Sequence, residues 1–203
     1  MDESVKRALA KWPNVPDCYG WLKLDRRGQW VMRAPDADPP VWGPILHEKL
    51  IDFIHRNYQP DDDGSYVFQN GPQKVRVELA YTPFVFHLPG GELTEFSVLS
   101  SGRIEAGKIS AVWVDDSGSI VLRTELGIGL LDDRDLALAL EWIRDESGAE
   151  LSDDELSNRF DAYIAGEHSG GLSLAGVAIE SLKAANAPSY FKYTPIPAKP
   201  PAA

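Results

Sequence analysis

The amino-acid sequence predicts an α+β fold in which antiparallel β-hairpins pack against helices. Short segments alternate apolar and polar residues and are joined by Asp-x-x-Gly or Asn-Gly turns, which is typical of hairpins. Other segments place apolar residues three and four positions apart, which is typical of amphipathic helices. One turn pattern occurs three times, which predicts internally repeated hairpin–loop–helix units.

The repeated pattern lies at residues 25–33, 61–69 and 115–123, which align without gaps. Each copy reads Asp-x-x-Gly, then Gln or Ser, a bulky residue, Val, a second bulky residue, and Arg or Gln. An Asp side chain hydrogen-bonds the backbone of its own turn, and Gly accepts the positive φ at the end of the loop. The first and third copies are each followed by a loop and a helical pattern. We interpret this as a duplicated unit; the alternative is a chance recurrence of a common turn.

The elements follow from these patterns in chain order. Leu46, Leu50 and Phe53 form the apolar stripe of one helix, and Ser152 with Glu155 forms a capping-box pattern ahead of another. The first half predicts a helix, a strand pair, a Pro-rich loop, a helix and three strands, at residues 1–12, 20–33, 34–44, 45–57, 65–69, 73–79 and 84–88. The second half predicts three strands, two helices and a strand region, at residues 95–99, 110–114, 119–124, 131–144, 153–165 and 172–182.

The domain organisation predicted from these elements is a single α+β body at residues 20–194. Two pseudo-repeat halves, 20–90 and 91–194, make up this body. An N-terminal helix or extension at 1–19 precedes it, and a Pro/Ala-rich tail at 195–203 follows it.

Composition and charge exclude several classes of function. The 203 residues carry a formal net charge of −11, which disfavours nucleic acids and anionic membrane surfaces as partners, because both are bound by basic surfaces. Cys18 is the only cysteine, so no intrachain disulfide is predicted. The N-terminal residues lack the apolar stretch of a signal peptide, and no apolar run is long enough to span a bilayer. We therefore expect a cytoplasmic location.

Several of these motifs resemble those of a known family. Gly43-Pro44, the turn Asp63-Gly64-Ser65-Tyr66, Gly71-Pro72, the alternating strand at 75–78 and Pro83-Phe84-Val85 resemble a proteobacterial family of unknown function, over roughly residues 19–125. The resemblance implies a fold with repeated structural motifs and a suggested role in signal transduction. It implies no catalytic residues. The chain departs from the family at Tyr81-Thr82, where an acidic pair is expected, so the resemblance also fits a sister family.

The sequence predicts no catalytic residue, no cofactor and no metal site. The acidic turn at 61–64 does not fit an EF-hand loop, which has Gly at its sixth position and Glu at its twelfth. His47 and His55 lie two helical turns apart, whereas paired metal ligands on a helix lie at i and i+4. His87 and His168 lack the neighbouring ligands typical of a zinc site. No phosphate-binding loop, nucleophile elbow or dinucleotide fingerprint is present in the sequence.

A candidate binding surface is predicted from five residues: Trp42, Arg33, Arg76, Glu78 and Arg123. Trp42 lies in the Pro-rich loop, where helix or strand packing does not explain an aromatic residue. Arg76 and Glu78 lie on the charged face of an alternating strand, and Arg33 and Arg123 hold the same position in two copies of the repeat. The alternatives are that Trp42 covers the core and that the charged face is only solvated.

These observations leave three hypotheses for function. The first is a non-enzymatic module that binds a small molecule or a protein, with a role in bacterial signalling. The second is a small enzyme whose carboxylates act in acid–base catalysis in a pocket formed by tertiary structure. The third is a structural partner subunit. The absence of catalytic motifs from the sequence favours the first hypothesis.

Overall fold

The chain folds into two compact units. The computed structural model describes residues 1–35, 38–88, 97–98, 104–167 and 171–200, with the backbone alone at 97–98 and 104–105. The first unit contains residues 1–83, 100–102 and 192–203, and the second contains residues 84–99 and 103–191. Each unit has its own sheet.

The first unit contains a mixed sheet of six strands among its described residues. Its elements are α1 (Glu3–Lys11), β1 (Cys18–Leu24), β2 (Trp30–Arg33), β3 (Trp42–Pro44), α2 (Glu48–Arg56), β4 (Tyr58–Pro60), β5 (Tyr66–Asn70) and β6 (Gln73–Leu79). The strand order is β3-β2-β1-β6-β5-β4, in which β1 and β6 pair in parallel and the other neighbours are antiparallel.

Alternation along these strands separates a core face from an outward face. Leu24 on β1 and Ile54 on α2 are each 1% exposed, and the rings of Phe53 and Phe68 meet edge to face at 5.4 Å. Trp30 is also buried and packs edge to face on Tyr58, at 5.1 Å between ring centroids. Helix α2 therefore covers one face of the sheet and leaves the charged face outward.

The second unit contains a sheet of nine strands among its described residues. Its elements are β7 (Phe84–His87), β8 (Ser97–Val98), β9 (Ile104–Glu105), β10 (Ala111–Asp115), β11 (Ile120–Arg123), β12 (Ile128–Leu131), α3 (Leu136–Leu140), β13 (Ile143–Arg144), α4 (Asp153–Ile164), β14 (Ser173–Leu174), β15 (Val177–Leu182) and α5 (Ala187–Phe191). The strand order is β13-β14-β15-β10-β11-β12-β7-β8-β9. The pairs β10–β15 and β12–β7 are parallel.

The two sheets share one order over six strands. In the first unit the order is β3-β2-β1-β6-β5-β4, and in the second it is β12-β11-β10-β15-β14-β13. In both sheets the strands that come first and last in the chain lie side by side and pair in parallel: β1 with β6, and β10 with β15. The remaining neighbours pair antiparallel. A helix follows the third strand in both. The predicted duplication stays a prediction, which this shared order supports.

The Asp-x-x-Gly turns close these hairpins as predicted. In the turns that begin at Asp25, Asp61 and Asp115, the Gly N–H donates to the Asp carbonyl at 2.9–3.2 Å. A fourth turn of the same kind begins at Asp145, with the corresponding bond at 3.0 Å. The Asp115 carboxylate accepts from the backbone N–H of Ser117 and of Ser119, which is the expected side-chain support for the turn.

Several predicted elements are confirmed. The predicted helices at 45–57 and 153–165 correspond to α2 and α4, and the predicted strand at 73–79 corresponds to β6. Helix α2 begins at Glu48, so Leu46, which was predicted in its apolar stripe, lies before the helix and is 81% exposed. Ser152 and Glu155 form the predicted capping box.

Two predicted elements are wrong at their ends, and others lie outside the described residues. Trp42 does not lie on a loop: Trp42–Pro44 forms β3, because its backbone completes the ladder of β2. The helix predicted at 131–144 is confined to Leu136–Leu140, since Leu131 ends β12 and Ile143 pairs with Leu174 in the sheet. The predicted strand at 95–99 is described only at 97–98, and His168 lies outside the described residues.

Candidate functional site

The outward face of the first unit's sheet holds four of the five predicted binding residues. Arg33 on β2 is the cross-strand partner of Trp42 on β3, so both side chains project from the same face. Glu78 on β6 is likewise the partner of Lys23 on β1, and Arg76 lies two residues before Glu78 on the same face. The structure therefore brings Trp42, Arg33, Arg76 and Glu78 onto one sheet face.

Lys23 connects Trp42 to Glu78 on this face, which sequence reasoning missed. Its ammonium lies 4.1 Å from the centroid of the Trp42 ring, a cation–π contact, and 3.4 Å from Glu78 Oε2. The alternation of Lys23 with the buried Leu22 and Leu24 was the signal in the sequence for its outward position. The contact holds the Trp42 ring next to a charged pair.

Arg76 is the centre of a charged network that is satisfied internally. Its guanidinium contacts Asp17 at 2.8 Å, Asp61 at 2.9 Å and Asp63 at 2.8 Å. Burial opposes the charged form, but the hydrogen bond to Asp17 and the three nearby carboxylates raise the pKa of Arg76. The hydrogen bond from the Ser65 hydroxyl, together with Arg76, lowers the pKa of Asp63. This network fixes the 61–64 turn and the segment before β1 against β6.

Apolar side chains extend the outward face around the Trp42–Lys23 pair. Trp21 precedes the buried Leu22 on β1 and is 43% exposed. Val31 is the cross-strand partner of Lys23 and is half-buried. The face therefore combines exposed aromatic and aliphatic area with paired charges.

Arg123, the fifth predicted residue, belongs to the second unit and is not part of this face. Its guanidinium carbon lies 5.7 Å from the ring centroids of Trp113 and Phe191. Trp113 donates from Nε1 to Glu180 at 3.1 Å. Arg123 therefore covers an aromatic contact between the second unit's sheet and α5.

A histidine–aspartate pair lies at the ends of two parallel strands in the second unit, and the sequence did not reveal it. His87 ends β7, and Asp135 lies in a short 3-10 helix just after β12. His87 Nδ1 contacts the Asp135 carboxylate, which also accepts from the Leu88 N–H at 3.1 Å. Asp135 is 8% exposed, so the contact fixes the imidazole through Nδ1. The pair can orient a histidine for proton transfer.

The remaining histidines have structural positions in the part of the chain that the structure describes. His47 Nδ1 accepts from the Leu50 N–H and caps α2. His55 packs against Trp30, at 6.2 Å between ring centroids. Among the described residues no group of three His, Cys, Asp or Glu side chains is arranged to hold a metal ion. Within the same residues no helix has the length and apolar character needed to cross a membrane.

Comparison with known proteins identifies a family but no function. A DUF1285 family protein from Silicibacter pomeroyi DSS-3 is 14% identical, with 88% of each chain covered and a TM-score of 0.48. A DUF1285 family protein from Shewanella baltica OS155 is 16% identical, with 56% of this chain and 85% of that chain covered and a TM-score of 0.36. No curated protein matches the chain significantly. The DUF2944 family model, described as "Protein of unknown function (DUF2946)", matches residues 1–184, and the chain therefore belongs to this family of unknown function.

Proposed function

We propose that the chain is a non-enzymatic binding module and that the outward face of the first unit's sheet is its binding surface. The observation that carries the proposal is the stacking of Lys23 over Trp42 at 4.1 Å, next to the exposed Trp21. Trp and Arg are the residues most enriched at the energetic centres of protein interfaces. Arg33 and Trp42 lie side by side on this face.

A protein fits this face better than a small molecule does. Small-molecule sites are concave and enclose most of the ligand, whereas this face is the surface of a sheet. Asp17, Asp61 and Asp63 are each held in an ion pair with Arg76, so these groups form a fixed polar rim. An apolar centre with a polar rim is the usual composition of a protein interface.

The proposal includes a location and a biological role. The proposed location is the bacterial cytoplasm. The role in bacterial signalling rests on the resemblance found in the sequence. A signalling module of this kind binds its partner without chemical turnover.

A site-specific crosslinking experiment tests the binding surface. A photoreactive amino acid is placed at position 42 in the full chain, expressed in a bacterial host, and the crosslinked partner is identified and purified. The affinity of the partner is then measured for the wild type and for Trp42→Ala and Lys23→Gln. We expect Trp42→Ala to weaken binding roughly 30-fold, as for a central aromatic residue of an interface.

Leu46 provides the control position, because it is apolar and 81% exposed but lies just before α2 rather than on the outward face. The same crosslinker at position 46 should not capture the partner, and Leu46→Ala should leave its affinity unchanged. Equal capture from both positions, or an unchanged affinity for Trp42→Ala, would overturn the proposal. Specific turnover of a small molecule by the purified protein would overturn its non-enzymatic part.

One observation favours the alternative of a small enzyme that uses carboxylate-based acid–base chemistry. The buried Asp135 carboxylate orients His87, and a histidine held in this way is suited to general-base catalysis. The test is a screen of the purified protein against ester and phosphoester substrates, with His87→Gln as the comparison. Turnover that is lost in His87→Gln supports the alternative, and no turnover above that of His87→Gln counts against it.

A further inference from the structure

A cleft of about 550 Å³ opens on the second unit between α3, β13 and α4. Leu140, Leu156 and Phe160 contribute to its apolar lining, and all three side chains are half-buried. The volume lies within the range of known ligand sites, which is about 300–1,000 Å³. Half-buried apolar side chains in an open cleft leave apolar area in contact with water. A partner that covers these side chains removes that area from water, which stabilises the complex.

Acidic side chains surround this apolar lining. Glu141, Asp153 and Asp161 all line the cleft. Arg144 is the one basic residue of the lining, and its guanidinium is engaged by the Glu150 carboxylate at 3.3 Å and by the Glu141 carbonyl at 2.8 Å. The open part of the cleft is therefore apolar at its base and negative at its edge.

Two of these carboxylates lie at positions where they do not stabilise the helix that carries them. Asp153 lies in the first turn of α4, where a negative charge is favourable. Asp161 lies in the last turn of α4 and Glu141 is the C-cap of α3, and at both places the helix dipole disfavours an acid. Neither carboxylate makes an ion pair within the described part of the chain. Their position at the cleft is consistent with a cationic ligand.

The negative charge extends well beyond the cleft. The second unit has 19 Asp and Glu against 7 Lys and Arg, a formal net charge of −12, whereas the first unit has 12 against 13, a net charge of +1. Residues 132–167, which form the cleft and its surroundings, hold 12 acidic residues and 3 Arg. A field of this extent attracts a partner with several positive charges more strongly than a ligand with one.

We propose that this cleft binds a cationic amphipathic segment of a partner protein. The apolar side chains of the segment lie on Leu140, Leu156 and Phe160, and its Lys or Arg side chains face Glu141 and Asp161. This mode corresponds to the helix-in-groove recognition known for amphipathic helices. The cleft belongs to the second unit, and this proposal does not rest on the function proposed for the first.

Fluorescence anisotropy with two labelled peptides tests the proposal on the full chain. One probe is a helical peptide of Leu and Lys with all Lys on one face, and the other has Glu in place of every Lys. We expect the Lys peptide to bind and the Glu peptide not to bind. The double variant Glu141→Gln/Asp161→Asn should weaken binding of the Lys peptide roughly tenfold, since each partly exposed ion pair contributes up to about threefold to fivefold.

The matched control is Asp154→Asn/Glu167→Gln, which removes the same charge from exposed positions that do not line the cleft. It should weaken binding less than about twofold. An equal loss of affinity for the Lys peptide in the two double variants would mean that the peptide is held only by non-specific electrostatic attraction, which would overturn the proposal. Spermidine serves as a competitor: displacement of the Lys peptide at an equal concentration would assign the cleft to small polyamines instead and equally overturn it.

Discussion

Acidification should weaken the first unit through His55, a histidine of α2 that packs on Trp30. Burial lowers the pKa of His55 from 6.5 to about 4, and the nearby Asp52 carboxylate opposes this only in part. The folded state therefore keeps His55 neutral at a pH where the unfolded chain has taken up a proton. Its contribution to stability is complete above pH 6.5 and is lost as the pH falls toward 4.

The magnitude follows from the size of the shift. A lowering from 6.5 to about 4 corresponds to at most about 3–4 kcal/mol of unfolding free energy, at about 1.4 kcal/mol per pKa unit. The His55 side chain is only half-buried, so solvent screening reduces this value. We expect a loss of roughly 1–2 kcal/mol between pH 7 and pH 4.5 that is due to His55.

Urea unfolding of the wild type and of His55→Leu at pH 7 and pH 4.5 measures this loss. Leucine does not titrate and is close to histidine in volume, so the two proteins share every other titrating group. The wild type should lose roughly 1–2 kcal/mol more than His55→Leu on acidification. Equal losses in the two proteins would refute the reasoning, because the pH dependence would then come from other groups.

Three further substitutions test the structure, each measured by urea unfolding with fluorescence and circular dichroism. Arg76→Met removes the cation between three carboxylates and should cost about 2–4 kcal/mol; a cost below about 1 kcal/mol would mean that the network is only solvated. Gly64→Ala, at φ +79° with the Lys192 carbonyl 3.1 Å from the added Cβ, should cost more than Gly71→Ala, at φ +59° with open space around it; equal costs would contradict the close approach. Ser152→Ala removes the capping box of α4 and should cost about 1 kcal/mol, and an unchanged stability would contradict the cap.

Local signals made most of the first unit predictable from the sequence. The turn at Asp25 needs only residues within one turn, because the Asp25 carboxylate accepts from the Arg27 and Gln29 N–H groups. The alternation in β6 and, in the second unit, the capping box at Ser152 are equally local. Such features are read from neighbouring residues, and the structure confirms them.

The features that the sequence did not reveal depend on contacts between distant residues. The His87–Asp135 pair joins positions 48 residues apart, and the Arg76–Asp17 pair joins positions 59 apart. Trp42 lies in a Pro-rich segment with the composition of a loop, but it forms a strand because β2 has an edge with which it can pair. Helical spacing likewise extended the predicted helix to Arg144, although Ile143 is needed in the sheet. Each of these positions depends on pairing between residues that are distant in the chain, and local sequence patterns do not indicate such pairing.

One difference between the two units lies in a single connection within the shared strand order. In the first unit β4 and β5 are joined directly by the turn at 61–64, and Asp61 and Asp63 of that turn pair with Arg76. In the second unit the corresponding strands, β13 and β14, are separated by the turn at 145–148 and by the whole of α4. Because α4 supplies one wall of the cleft and much of its acidity, the inserted connection creates the proposed cationic-segment site. Similar strand orders therefore support two different surfaces, one aromatic with paired charges and one acidic and concave.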